Sequence, residues 1–217
     1  MEIKESTTTN AWKAALRYII DDSREEYREK RQRTCSEVLN LRVTVENPSF
    51  DVTTPIEILN SFQKWVYPPL SEISNVIFSK HQNPIYEYSY GSVLFKYQGV
   101  LNQIDDYIIP LLKQNPNSRR GVVFTWDPIQ HSNKFKQQVP GLTQIDFKLR
   151  NGKLNITSIV RSNDMFFGWP ANVYQIFLLQ EYVKLKLGCE LGTLTTFSTS
   201  AHIFDDQKEH VKQVINR

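Results

Sequence analysis

Arginines punctuate this sequence where a turn or a strand end would present them: Arg33 closes the charged run 23–33, Arg119 and Arg120 follow Asn117-Ser118, and Arg161-Ser162 precedes Asn163-Asp164. A guanidinium fork matches phosphate oxygens two at a time and stays charged at any relevant pH, so arginines so placed suit a phosphate monoester. Taken singly, Arg119-Arg120 and Arg161-Ser162 read equally well as solvated loop residues. No other phosphate device is present, because the eight glycines form neither a Gly-x-Gly-x-x-Gly nor a Walker pattern. Cys35 and Cys189 lie far apart without Cys-x-x-Cys or histidine spacing, so no metal site is expected. Both are expected to be buried thiols.

The 217 residues, 40% apolar and 12% aromatic, can close one sizeable core, and a single domain over residues 1–217 is expected. The 26 basic and 23 acidic residues leave a formal charge of +3, and the basic ones fall in short clusters. That distribution suits a small anion better than a nucleic-acid backbone. No window approaches 18 uninterrupted apolar residues and residues 1–10 are polar, which excludes the usual membrane span and signal peptide and leads to a cytoplasmic expectation.

Elements must position these residues. Asn10 is a plausible N-cap for a helix over 11–22, where Trp12, Ala15, Leu16, Ile19 and Ile20 share one face. Alternation over 38–45 sets Leu39, Leu41, Val43 and Val45 against Val38, Asn40, Arg42 and Thr44, a strand stopped by Asn47-Pro48. Pro55 opens a helix that the spacing of Ile56, Leu59, Phe62, Gln63 and Val66 carries through residue 65. Residues 101–114 read as another amphipathic helix and 121–126 as a short strand. Residues 143–150 and 153–160 read as a hairpin about Asn151-Gly152. A long helix over 171–187 ends at Gly188, and 191–204 is a strand rich in Thr and Ser. Strands and helices mix without strict alternation, so the fold class is α+β.

The phosphate candidates do not stand alone. Arg33-Thr34, Tyr90-Gly91, Gln103-Ile104-Asp105, Asn117-Ser118-Arg119-Arg120, Trp126-Asp127-Pro128, Asn151-Gly152-Lys153-Leu154, Arg161-Ser162-x-Asp164, Gly168-x-Pro170-x-Asn172 and Ala201-His202-Ile203 come in the order and spacing of the thymidylate synthase family. The chain resembles that family from about residue 25 to residue 202, and most resembles its short archaeal synthases and the related nucleotide hydroxymethylases. The resemblance implies a mixed sheet packed with helices and a homodimer formed through the sheet. It implies a pyrimidine nucleoside monophosphate as ligand (dUMP, UMP or a modified analogue), with 5,10-methylenetetrahydrofolate as the one-carbon donor. Arg33, Arg161 and Ser162 match the phosphate ligands, and Arg119 and Arg120 match a pair donated by the second subunit, which would make the active sites shared. His202 matches a residue on the sugar hydroxyl, whose usual tyrosine neighbour is Phe204 here, so a ribose or an altered sugar is conceivable. Asn172 matches the amide that reads the pyrimidine edge, with uracil favoured. Asp164 matches a group between nucleotide and folate, and Tyr90 one in the proton-transfer network. Trp65 and Trp169, with Phe166 and Phe167, are candidates to line the folate site, and they read equally as core aromatics.

One position departs from the pattern. The family's nucleophilic cysteine adds to C6 of the ring and pushes electron density onto C5. Here Pro140-Gly141-Leu142 places a glycine at that point, and the register is fixed downstream by Asn151-Gly152. The proton-transfer glutamate also lacks a match, since its position falls near Phe62-Gln63 and Glu57 lies nearly two turns earlier. Several readings stay open: one-carbon transfer, methyl or hydroxymethyl, by a mechanism altered at Gly141; hydrolysis at the glycosidic bond, for which Asp205, Asp206 and Glu87 are nominal carboxylates; a nucleotide-binding protein without chemistry; or an engineered cysteine-less mutant.

Overall fold

A computed structural model describes residues 1–22, 33–81, 89–132 and 138–217, with the backbone of residues 26 and 27. In chain order the elements are β1 (Glu2–Glu5), α1 (Thr8–Asp22), β2 (Glu26–Tyr27), β3 (Cys35–Val45), α2 (Thr54–Ser61), α3 (Leu70–Phe78), α4 (Tyr90–Lys96) and α5 (Ile109–Gln114). They continue with β4 (Val122–Phe124), α6 (Pro128–His131), β5 (Leu142–Arg150), β6 (Lys153–Val160), β7 (Asn163–Asp164), α7 (Gly168–Leu187), β8 (Glu190–Phe204) and α8 (Lys208–Asn216). The mixed parallel and antiparallel pairing confirms the α+β class. No helix of the described residues is long and apolar enough to cross a membrane.

The chain forms two compact units, each assembled from separate stretches: Met1–Tyr67, Val160–Tyr174 and Leu194–Arg217 in the first, Pro68–Ile159 and Gln175–Thr193 in the second. In the first unit the strand order is β1-β3-β8, with β2 on β3 and β7 on β8. β3 and β8 run antiparallel from Cys35↔Phe204 to Val45↔Leu194, and β7 is parallel to β8 through Asn163↔Ala201 and Asp164↔His202. Trp12, Leu16 and Ile19 of α1 are fully buried with Leu41, Val43 and Val45 of β3. The Trp12 indole donates to the Met165 carbonyl at 2.7 Å, which ties α1 to the segment after β7.

In the second unit the order is β8-β6-β5-β4. Asn151 and Gly152 both have positive φ, 50° and 75°, as the tight hairpin between β5 and β6 requires. At Gly91 a Cβ would lie 2.5 Å from the Ser79 carbonyl oxygen, so only glycine lets α4 approach the end of α3 this closely. That approach sets the position of Tyr90.

Several expected boundaries move, each for a local reason. Helix α1 starts at Thr8 rather than after an Asn10 cap, because the Asp51 carboxylate accepts from the Thr8 and Thr9 amides at 2.7 and 2.9 Å. Helix α2 stops at Ser61, where the Ser61 hydroxyl donates to the Ile58 carbonyl and Gln63 adopts φ 53°. Val66, expected on its buried face, is 97% exposed. The expected helix over 101–114 begins as a π-helix, Gln103–Ile108, before α5. Pro110 supplies no amide hydrogen there, and the Ile109 amide reaches back to the Ile104 carbonyl instead. Both cysteines are partly exposed rather than buried, since Cys35 opens β3 and Cys189 lies in the connection between α7 and β8. The structure adds β1, α3, α4, α6 and α8, of which α3 and α8 are amphipathic and bury Ile73 and Ile77, and Val211 and Val214. The charged run before Arg33 and the candidate Glu87 lie outside the residues whose side chains are described.

Candidate functional site

The first unit collects Arg33, Arg161, Ser162, Asp164, Asn172 and His202 along the ends of β3, β6, β7 and β8. On one face of the sheet Leu41, Val43 and Val45 are fully buried, whereas Leu39, the next residue on that face, is 65% exposed. The face therefore passes from core to open surface where the polar row begins. In that row His202 lies opposite Glu37 on one side and Asp164 on the other.

Asn172 on α7 is oriented by a neighbour that the sequence did not single out. Its Nδ2 donates to Asn163 Oδ1 at 3.1 Å, and the buried Asn163 amide donates in turn to the Ser198 hydroxyl at 3.0 Å. An amide nitrogen carries two hydrogens, so Asn172 keeps one N–H and its carbonyl oxygen for a ligand edge. Asp164 Oδ1 accepts from the Phe166 and Phe167 amides at 3.0 and 2.9 Å, and its Oδ2 accepts from Gln207 Nε2 at 3.0 Å. Gln207 is buried and its Oε1 takes the Phe204 amide. No spacing rule could have marked Gln207, because its role depends on β8 returning beside β7.

Arg33 stacks its guanidinium 4.0 Å from the Phe204 ring centroid and pairs with Asp206. The ion-pair side chains are 51% and 63% exposed, so the pairing is weak enough for an incoming dianion to displace it. Phe204 also meets the His202 ring edge-on at 5.0 Å. Arg161 and Ser162 are exposed in the bend after β6, and the Arg161 carbonyl accepts from the Thr199 hydroxyl at 2.8 Å.

Burial holds the His202 imidazole below its ordinary pKa of 6.5, against the opposing pull of Asp164 and Glu37, while the Arg33 charge adds to the depression. The folded state then binds fewer protons than the unfolded chain below pH 6.5, so this contribution to stability is complete above that pH and is lost as the pH falls. His210 is also depressed, mainly by burial, and acts in the same window. The melting temperature is expected to fall on acidification below about pH 6.5 and the slope to flatten in His202→Gln and further in the double variant with His210→Gln. Thermal melts across that range check this, and an unchanged slope in the double variant refutes the assignment.

An aromatic cluster adjoins the row. Trp65 packs edge-on against Phe166, Phe167 and His210 at 5.5, 5.9 and 4.8 Å, with Trp65 and Phe167 partly exposed. Trp169 is different: it is fully buried and its indole donates to the Thr196 hydroxyl at 2.9 Å, which gives it a core role. Glu57 is exposed at the start of α2 and accepts from the Thr53 hydroxyl, while Phe62 and Gln63 follow the end of that helix. Asp205 pairs with Lys208 at 2.7 Å.

The second unit holds the remaining candidates. The buried Tyr90 hydroxyl accepts from the Leu142 amide at 3.2 Å, next to Gly141. Arg119 and Arg120 are exposed, and the Tyr107 hydroxyl donates to the Arg120 carbonyl at 2.5 Å. Among the described residues no group of three or more His, Cys, Asp or Glu could hold a metal ion.

A family model described as thymidylate synthase matches residues 15–217. The chain is 34% identical over 213 residues to a protein of Methanosarcina barkeri named "Putative thymidylate synthase", covering 98% of this chain and 94% of that protein. A protein of the same name from Methanocaldococcus jannaschii is 32% identical over 215 residues, covering 94% of this chain and 91% of the relative. Among solved structures, the thermostable thymidylate synthase A from Bacillus subtilis superposes with a TM-score of 0.67 at 19% identity, over 97% of this chain and 84% of that one, and so shares the fold.

Proposed function

Because the chain belongs to the thymidylate synthase family, we propose that its first unit binds a pyrimidine nucleoside monophosphate and that the protein transfers a one-carbon unit to the pyrimidine by a mechanism altered at Gly141. The observation that carries this reading is the Asn172 amide, held by Asn163 beside the Asp164–His202 row with donor and acceptor left for a uracil edge. Arg33, Arg161 and Ser162 take the phosphate, and His202, kept neutral by burial, takes a sugar hydroxyl. Arg119 and Arg120, exposed as donation to a second subunit requires, complete the phosphate site in a homodimer.

The partly exposed Trp65 and Phe167 fit a flat pterin ring, and they would hold 5,10-methylenetetrahydrofolate; Trp169, sealed in the core, would not. That cofactor, when bound, supplies a carbon at the methylene level. Gly141 offers no thiol, so the nucleophilic carbon must be activated by the pyrimidine itself. An amino or hydroxyl substituent at C5 does this, because its lone pair feeds through the C5–C6 double bond and makes C6 electron-rich. Tyr90 accepts the Leu142 amide through its oxygen, which places its hydroxyl next to Gly141.

The test is mass spectrometry of pyrimidine monophosphates, with and without a C5 hydroxyl or amino group, incubated with protein and methylenetetrahydrofolate. A folate-dependent gain of one carbon on the C5-substituted nucleotide is expected, with none on UMP or dUMP. Gly141→Cys should extend the gain to an unsubstituted nucleotide. No folate-dependent product on any nucleotide rejects the transfer reading, and release of free base without folate replaces it with hydrolysis.

A further inference from the structure

Glu37 has no part in the roles assigned so far. β3 sets it opposite His202, and β7 sets Asp164 against the other side of the same histidine, so the three side chains leave one face of the sheet in a row. Asp164 is committed to the amides of Phe166, Phe167 and Gln207. Glu37 is half-buried, with Oε1 fixed by the Ser200 hydroxyl. Among the described residues it makes no ion pair, and its Oε2 accepts no hydrogen bond. A partly desolvated carboxylate with an unspent oxygen gains from any hydroxyl brought to it.

The neighbouring position explains which hydroxyl. Phe204 offers only its ring, which is occupied by the Arg33 guanidinium and the His202 edge, so it supplies no polar atom to a sugar. With Asp164 already bonded to Phe166, Phe167 and Gln207, the adjacent polar groups left on this face are the His202 imidazole and the Glu37 carboxylate. Two vicinal hydroxyls need two such partners, and a carboxylate serves as acceptor for one while the imidazole engages the other. We propose that Glu37 accepts the 2′-hydroxyl of a ribose while His202 holds the 3′-hydroxyl, so that this chain selects a ribonucleoside monophosphate over its deoxy counterpart. The inference rests on the nucleotide reading above. Glu37 is then a specificity-determining contact, and the Ser200 hydroxyl fixes its position.

Calorimetric titration of UMP, dUMP, CMP, dCMP and 2′-O-methyl UMP tests it, with wild type, Glu37→Gln, Glu37→Ala and Arg161→Ala, each checked by circular dichroism for folding. Wild type is expected to bind the ribonucleotide about ten- to a hundredfold more tightly than the deoxynucleotide and to reject the 2′-O-methyl form, which has no hydrogen to donate. Glu37→Gln should reduce the preference and Glu37→Ala remove it, with deoxynucleotide affinity retained. Equal wild-type affinities, or an undiminished preference in folded Glu37→Ala, overturn the proposal. Should the variants not fold, the wild-type comparison with dUMP and 2′-O-methyl UMP decides alone. If no monophosphate binds, or if Arg161→Ala leaves binding unchanged, the nucleotide reading fails and this inference with it. If Arg161→Ala weakens every nucleotide while Glu37→Ala leaves their ratio fixed, only this inference falls.

Discussion

Arg161→Ala is expected to weaken binding of a pyrimidine monophosphate by about 1.5–3 kcal/mol, the range for hydrogen bonds to charged groups. The side chain is exposed in the bend after β6, while the local backbone is held independently by the Thr199 hydroxyl on the Arg161 carbonyl. Truncation therefore removes the guanidinium and leaves that backbone contact in place. Arg161→Lys should recover only part of the loss, because an ammonium is a point charge where phosphate presents paired oxygens. Calorimetry at two salt concentrations measures both effects, and unchanged affinity removes the phosphate assignment.

Trp12→Ala is expected to cost about 3–5 kcal/mol of stability, the range for deleting a buried aromatic. Trp12 is fully buried, stacks on Phe166 with centroids 6.1 Å apart and donates to the Met165 carbonyl at 2.7 Å. Met165 directly follows Asp164, so the loss should also reach the ligand row. Trp12→Phe, which keeps an aromatic ring and orphans that carbonyl, should fall in between. Chemical denaturation gives the stabilities; a loss below 1 kcal/mol in Trp12→Ala would show the pocket refilling without penalty.

How much of this was legible in the sequence depends on the range of the interaction responsible. The Asn151-Gly152 hairpin and the Gly188 stop are local chemistry, and both stand where expected, with positive φ at all three residues. The start of α1 could not be read, because its cap is Asp51, more than 40 residues away. The resemblance named Asn172 and His202, but it gave no hint of Asn163 or Gln207, whose contacts exist only once β7 lies beside β8. Trp169 shows the reverse: an aromatic beside a motif looked available, yet its indole is spent on Thr196. Glu37 carries no local signal, since only the register Glu37↔His202 makes it a neighbour of the site.

That register also fixes when the molecule becomes competent. β3 pairs early with β1 and β2, but the strand opposite Glu37 is β8, residues 194–204, so the row stays incomplete until that distant strand docks. Closing so long a loop is slow relative to forming the local hairpin of β5 and β6. On the ribosome, the row of Glu37, His202 and Asp164 assembles only once β8 has been made, and a nascent chain that stops short of β8 holds Glu37 and Asp164 without the histidine between them.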